Sequence, residues 1–132
     1  MSLKISLAPG ESVVIGKAKV ENGDDRRCTL IVTGEEVVLR GRRVMREQDA
    51  TTPLKRLYFV VQAIYLTDYK SLLTPLFMDV LREALQSWPE MAVPIVTVGE
   101  LIGEGKYYEA LSKTYELVEQ ESGRDTDPRE KG

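Results

Sequence analysis

Six basic side chains, Arg40, Arg42, Arg43, Arg46, Lys55 and Arg56, lie in the stretch VLRGRRVMREQDATTPLKRLYFVVQAIYL, Val38 to Leu66. Within residues 40 to 56 they face only Glu47 and Asp49, a local balance of +4 in a chain whose net charge is −3. Most are arginines, whose planar fork of donors suits phosphate oxygens and guanine edges. A run of charge is ordinarily a solvated face. Here it also flanks a change from β-like to helical sequence, where the first helix would turn its free N–H groups and positive dipole end toward an anion. The chemistry on offer is therefore polyanion binding.

Other chemistry is thinly supplied. The chain has no histidine, which removes Ser-His and Cys-His nucleophile pairs and most zinc sites. Cys28, the single cysteine, permits no intrachain disulfide and sits among β-formers in CTLIV, as a buried small hydrophobe would. The pairs Asp24-Asp25 and Glu35-Glu36 fall in predicted turns and read as solvated turn residues rather than an acid/base pair. GELIGEGKY, from Gly99 to Tyr107, is a poor phosphate loop: five residues separate its first glycine from Gly-Lys where four are needed, no Ser or Thr follows, and two glutamates would repel phosphate. No enzyme activity, metal or cofactor is expected.

The elements that must position the arginines come from periodicity. LKISL, SVVIGKAKV, RRCTLIVT and EVVLR, within residues 3 to 44, are short segments rich in Val, Ile and Thr. APGE, ENGDD and TGEE separate them, with Gly10, Asn22, Gly23 and Gly34 supplying turn chemistry. This predicts an antiparallel β module, a small sheet or barrel. From Thr52 the period becomes helical, with Thr52 as N-cap and Pro53 at the first helical position. Thr74-Pro75 either starts a second helix or kinks one begun near Asp68. Leu76, Phe77, Val80, Leu81, Ala84, Leu85 and Trp88 then form one apolar stripe that Pro89 ends. PEMAVPIVTVGELIGEG reads as helix although IVTV is strand-like, its glycines closing one helix before the next. In KYYEALSKTYELVEQE an amphipathic face runs through Tyr107, Ala110, Leu111, Thr114, Leu117 and Val118. This is a core-forming helix rather than a lone tetratricopeptide unit.

The fold class is thus α+β: a β-rich module over residues 1–50 carrying the basic seam, a helical module of three to four helices over 51–122, and a disordered tail over 123–132. At 132 residues the chain can bury about two-thirds of its unfolded surface. No apolar run approaches the roughly 20 residues that span a bilayer, and MSLKISLAPGE lacks a signal-peptide core, so a cytoplasmic location is expected. Residues 1 to 56 hold 11 Lys+Arg against 8 Asp+Glu, whereas residues 57 to 132 hold 7 against 13. The first half would face an anion, and the second solvent or a protein. All nine aromatics lie at or beyond Tyr58, so the β module cannot offer the stacking platforms of common single-strand binders. An RNA contact must use arginines and exposed strand-edge backbone, or Tyr58 and its neighbours. Tyr58, Tyr65, Tyr107 and Tyr108 are better read as half-buried core.

LKISLAPGESVVIG, VLRGRRVMREQDATTPLKRLYFVVQAIYL and KYYEALSKTYELVEQE together resemble the FlbT family of alphaproteobacterial flagellar regulators, from Leu3 to about Glu121. The most specific part is the pattern DAxTP, basic pair, aliphatic, YF at Asp49 to Phe59. The chain departs from it at VPIVTVGELIGEG and at Gly41-Arg42-Arg43. The resemblance implies a post-transcriptional regulator that associates with the 5′ untranslated leader of flagellin messenger RNA and lowers its translation and lifetime, with a companion protein, FlaF, acting in the opposite sense. PGESVVIG, TLIV and EVVLR are also similar to the carbon storage regulator family of β-strand translational repressors. That similarity would place RNA on Leu3, Lys4, Ser6 and Arg40. The expected RNA-binding residues are accordingly Lys4, Arg40, Arg42, Arg43, Arg46, Lys55 and Arg56. The expected partners are a flagellin leader and a FlaF-like or other flagellar protein, with homo-oligomer formation left open. The rival reading is a flagellar adaptor or chaperone whose acidic helical half docks a protein partner and touches RNA only indirectly.

Overall fold

A computed structural model describes residues 2–67 and 70–125 and confirms the α+β class. The chain divides into two compact units, 1–44 and 45–132. The reason is local: buried Gln62 accepts from the Met45 N–H at 2.7 Å and donates to the Met45 carbonyl at 2.9 Å, so the segment after Val44 is bound to the first helix.

The first unit holds five strands: β1 (Ser2–Leu7), β2 (Ser12–Ile15), β3 (Ala18–Glu21), β4 (Cys28–Thr33) and β5 (Val38–Arg40). They form two antiparallel sheets rather than one, β1-β4 and β3-β2-β5. A single apolar cluster serves both: Ile5, Leu7 and Val13 at its centre, with Val20, Leu30, Val38 and half-buried Cys28 packed against it. SVVIGKAKV is a hairpin and not one strand, because Gly16 adopts φ +60° and Ile15 pairs with Ala18 across a two-residue turn. Gly-Lys is a weak turn signal in an otherwise continuous β pattern. Asn22 is buried: its side chain donates to the carbonyls of Leu7 (2.9 Å) and Arg26 (2.8 Å) and accepts from Asp24 N–H (3.0 Å). It closes an Asx turn as expected.

The second unit holds α1 (Pro53–Leu66), α2 (Lys70–Ser87), α3 (Ala92–Gly103) and α4 (Tyr107–Asp125). α1 packs on α2 and α4, and α3 on α4 and α2. Thr52 caps α1 as expected: its Oγ1 accepts from Lys55 N–H at 3.1 Å, with Pro53 in the first turn. The same hydroxyl donates to the buried Glu121 carboxylate at 2.7 Å, tying the start of α1 to the end of α4. Pro75 lies inside α2, so Thr74-Pro75 does not start a second helix. Lys70 closes the end of α1 by donating to the Ile64 carbonyl at 2.8 Å, and its ammonium lies 4.8 Å from the centre of the Tyr107 ring. α3 ends in a Schellman pattern: Lys106 N–H reaches Leu101 O and Gly105 N–H reaches Ile102 O.

The α2 stripe is buried from Phe77 through Val80, Leu81, Ala84 and Trp88, but Leu76 is 49% exposed. Leu72 and Leu76 lie on the same i, i+4 row as Val80, Ala84 and Trp88, so burial along that row begins only at Val80. On α4 the expected face is buried at Ala110, Leu111, Thr114, Leu117 and Val118. Tyr107 is half-buried. The helix continues to Asp125, past the end expected at residue 122; the remainder of the expected disordered tail, 126–132, lies outside the described residues. No helix among the described residues is long and apolar enough to cross a membrane.

Candidate nucleic-acid interface

In the first unit, β5 runs into a 3-10 turn, Gly41–Arg43, that is pressed against β2. A Cβ on Gly41 would overlap the Ser12 side chain and lie 2.9 Å from the Ser12 carbonyl oxygen, so only glycine lets the turn sit there. This contact places Arg40 and Arg42 on a cleft of about 200 Å³ shared with Gly10, Glu11 and Ser12. Gly41→Ala should therefore shift the turn or destabilise the unit by about 1–3 kcal/mol. The check is amide exchange of the β2 and β5 N–H groups, with faster exchange the expected outcome.

Arg40 Nη1 donates to the Ser6 carbonyl at 3.2 Å. Arg27, just before β4, donates through Nη1 to Ser6 Oγ at 3.0 Å. Lys4 stands exposed two residues before Ser6 on β1, hence on the same sheet face. Arg43 is half-buried and already engaged. Among the described residues, Lys4, Arg27, Arg40 and Arg42 have no carboxylate partner. The Glu11 carboxylate in the cleft accepts from Ala8 N–H at 2.6 Å.

The second unit treats its share of the seam differently. Arg46 pairs with Asp49, Nε to Oδ2 at 3.0 Å, and this hydrogen bond with the neighbouring negative charge holds the guanidinium pKa above the usual arginine value. Arg56 pairs with Glu83 at 3.5 Å. Lys55 is half-buried with no side-chain partner among the described residues. The start of α1 is not the open anion site that its position suggests. Pro53 has no N–H, Lys55 N–H goes to Thr52 Oγ1, Arg56 N–H goes to Thr52 O, Leu54 is buried, and Glu121 brings a carboxylate to the cap. Tyr58 is 1% exposed and stacks at a tilt on Tyr115, with ring centres 5.9 Å apart, so it cannot receive a base.

The family profile described as "Flagellar protein FlbT" matches residues 3–124. The chain belongs to the FlbT family. It is 35% identical to the "Probable flagellum biosynthesis repressor protein FlbT" of Caulobacter sp. (strain K31), over 94% of this chain and 96% of that one. Identity to the "Flagellum biosynthesis repressor protein FlbT" of Caulobacter vibrioides (strain ATCC 19089 / CIP 103742 / CB 15) is 34%, over 94% and 89% of the two chains. To the Rhodopseudomonas palustris (strain TIE-1) relative it is 30%, over 92% and 95%. No solved structure matches the chain significantly.

In this FlbT chain the segment Asp49 to Phe59, the most specific part of the family resemblance, is a helix-starting device. Asp49 holds Arg46, Thr52 caps, Pro53 opens the helix, and Leu57 and Tyr58 enter the core. Two exposed cations outside the expected set, Arg26 and Arg27, flank the β4 start. The RR pair in RRCTLIVT was the only sequence signal for Arg27, and nothing local linked it to Ser6. No group of three His, Cys, Asp or Glu able to hold a metal occurs among the described residues.

Proposed function

We propose that this FlbT-family protein is a non-enzymatic, cytoplasmic post-transcriptional regulator that binds the 5′ untranslated leader of flagellin messenger RNA and lowers its translation and lifetime. Its relatives' name, flagellum biosynthesis repressor, supports the direction of control. The observation that carries the RNA step is the contrast between units: Arg46 and Arg56 are paired with carboxylates, whereas Lys4, Arg40 and Arg42 have no carboxylate partner among the described residues. Cations without carboxylate partners among the described residues, in a β unit without aromatics, suit the backbone of a polyanion, not its bases.

The test is retention of a flagellin leader RNA by purified protein across a salt series. Contact with four phosphates should give a slope of log affinity against log salt of about −3. No retention at physiological salt would overturn the RNA step.

A second reading has its own support. Leu72 and Val93 are 75% and 79% exposed, and Glu109, Glu116 and Glu119 are exposed on α4, as a protein-docking adaptor would have them. If charge reversal at those three glutamates abolishes capture of a FlaF-like or other flagellar protein while RNA retention is absent, that reading replaces the first.

A further inference from the structure

Ser6 is the meeting point of two guanidiniums that approach from different parts of the first unit. Arg27 reaches its hydroxyl at 3.0 Å and Arg40 its carbonyl at 3.2 Å, across separations of 21 and 34 residues. Two cations drawn to one uncharged residue repel each other unless a negative charge lies nearby. Among the described residues neither has a carboxylate partner. Each guanidinium has five N–H donors, and one hydrogen bond to Ser6 leaves the others unspent. The Ser6 hydroxyl accepts from Arg27 and keeps its own proton for donation. Among the described residues the donors that meet at Ser6 therefore outnumber the acceptors they have found, and Glu11, the carboxylate on the Arg40 cleft, is turned to Ala8 N–H. The complement of these donors is an acceptor-only anion with several oxygens.

We propose that Arg27, Arg40 and the Ser6 hydroxyl together hold one phosphate of a single-stranded RNA backbone. This inference rests on the RNA-binding reading above and adds to it a residue, Arg27, that lies outside the basic seam. Lys4, exposed on the same strand face two residues away, extends the positive surface toward a neighbouring phosphate. On the exposed face of β4, Thr29 and Thr33 flank Ile31, which is 68% exposed and pairs with Lys4, and the first unit contains no aromatic ring, so the site grips backbone without stacking a base. An acidic protein segment presents the same carboxylate oxygens to an arginine fork. Phosphate is favoured because the donors of two arginines converge on Ser6 of an extended strand that also carries Lys4, so that more than one charge of a polyanion can be met.

The experiment measures flagellin leader RNA binding against salt for the wild type, Arg27→Ala, Arg27→Lys, Arg40→Lys, the Arg27→Ala/Arg40→Lys double variant and a control in the second unit, Arg82→Ala. Arg27→Ala should lessen the slope by up to about 0.7, since Arg40 still faces the shared phosphate, and so lose up to roughly fourfold in affinity at 0.15 M salt relative to a common affinity at 1 M. Arg27→Lys should recover the slope but not the full affinity, because charge returns without the fork. Arg40→Lys should lose affinity at an unchanged slope. If both arginines hold the same phosphate, the losses in the double variant will be non-additive. Arg27 and Arg82 are exposed, so melting temperatures should match the wild type; Arg27→Lys reads the site even if Arg27→Ala were to unfold.

Wild-type binding with unchanged affinity in both Arg27 variants would overturn the site while leaving the RNA reading intact. Additive losses would overturn the shared phosphate. Failure of the wild type to retain RNA would overturn both the reading and the site. Loss of a flagellar protein partner in Arg27→Ala, with RNA retention intact, would assign the donors to a protein carboxylate and overturn the proposal.

Discussion

Replacing Lys4, Arg42 and Lys55 together with alanine is expected to flatten the dependence of log affinity on log salt by about 2, since each phosphate contact on single-stranded RNA contributes about 0.7. At 0.15 M salt this is a loss of roughly 50-fold relative to a common affinity at 1 M. These three are the informative set because none has a side-chain partner among the described residues, so each substitution removes a charge and frees no carboxylate. The neighbouring choice of Arg42, Arg43 and Arg46 mixes effects: Arg43 is half-buried and engaged, and losing Arg46 exposes Asp49 as a fresh repulsive charge. Lys4 and Arg42 are exposed and Lys55 is half-buried at the start of α1, so the melting temperature of the triple variant is measured beside its affinity, and the slope is read where the variant is folded. An unchanged slope in the triple variant would remove phosphate contact from all three positions.

The largest effect on stability is expected at Leu57. It is 0% exposed on α1, the helix against which both α2 and α4 pack. Leu57→Ala removes its transfer free energy and leaves a cavity that the surrounding helices fill only in part, a loss of about 2–5 kcal/mol. Against a total domain stability of about 5–15 kcal/mol, this should lower the helical melting temperature by roughly 8 °C or more. Far-ultraviolet circular dichroism at 222 nm follows the transition. A midpoint within about 2 °C of wild type would mean that the helical unit does not depend on this contact for its cooperativity. Salt dependence of RNA binding at a temperature where the variant remains folded should be unaltered, which separates packing from recognition.

Sequence alone determined what depends on near neighbours. The order of β-rich and helical segments, the Thr52-Pro53 start of α1, the α4 face and the Asn22 turn all follow from residues within a few positions of one another, where backbone geometry and periodicity act. The family could likewise be recognised from sequence, because the motifs carrying the resemblance are contiguous. Tertiary structure decided which cations are neutralised and which chemical groups meet. Arg56 finds Glu83 across 27 residues, Arg27 and Arg40 meet at Ser6 across 21 and 34, and Glu121 closes the Thr52 cap across 69. It also divided SVVIGKAKV at Gly16, took Leu76 out of the core and buried Tyr58. Hydrogen bonds and ion pairs form between groups within about 3–4 Å, whatever their separation along the chain. A basic run in one dimension therefore becomes, in three, a set of paired arginines in one unit and, in the other, cations around Ser6 and the Arg40–Arg42 cleft with no carboxylate ion pair among the described residues.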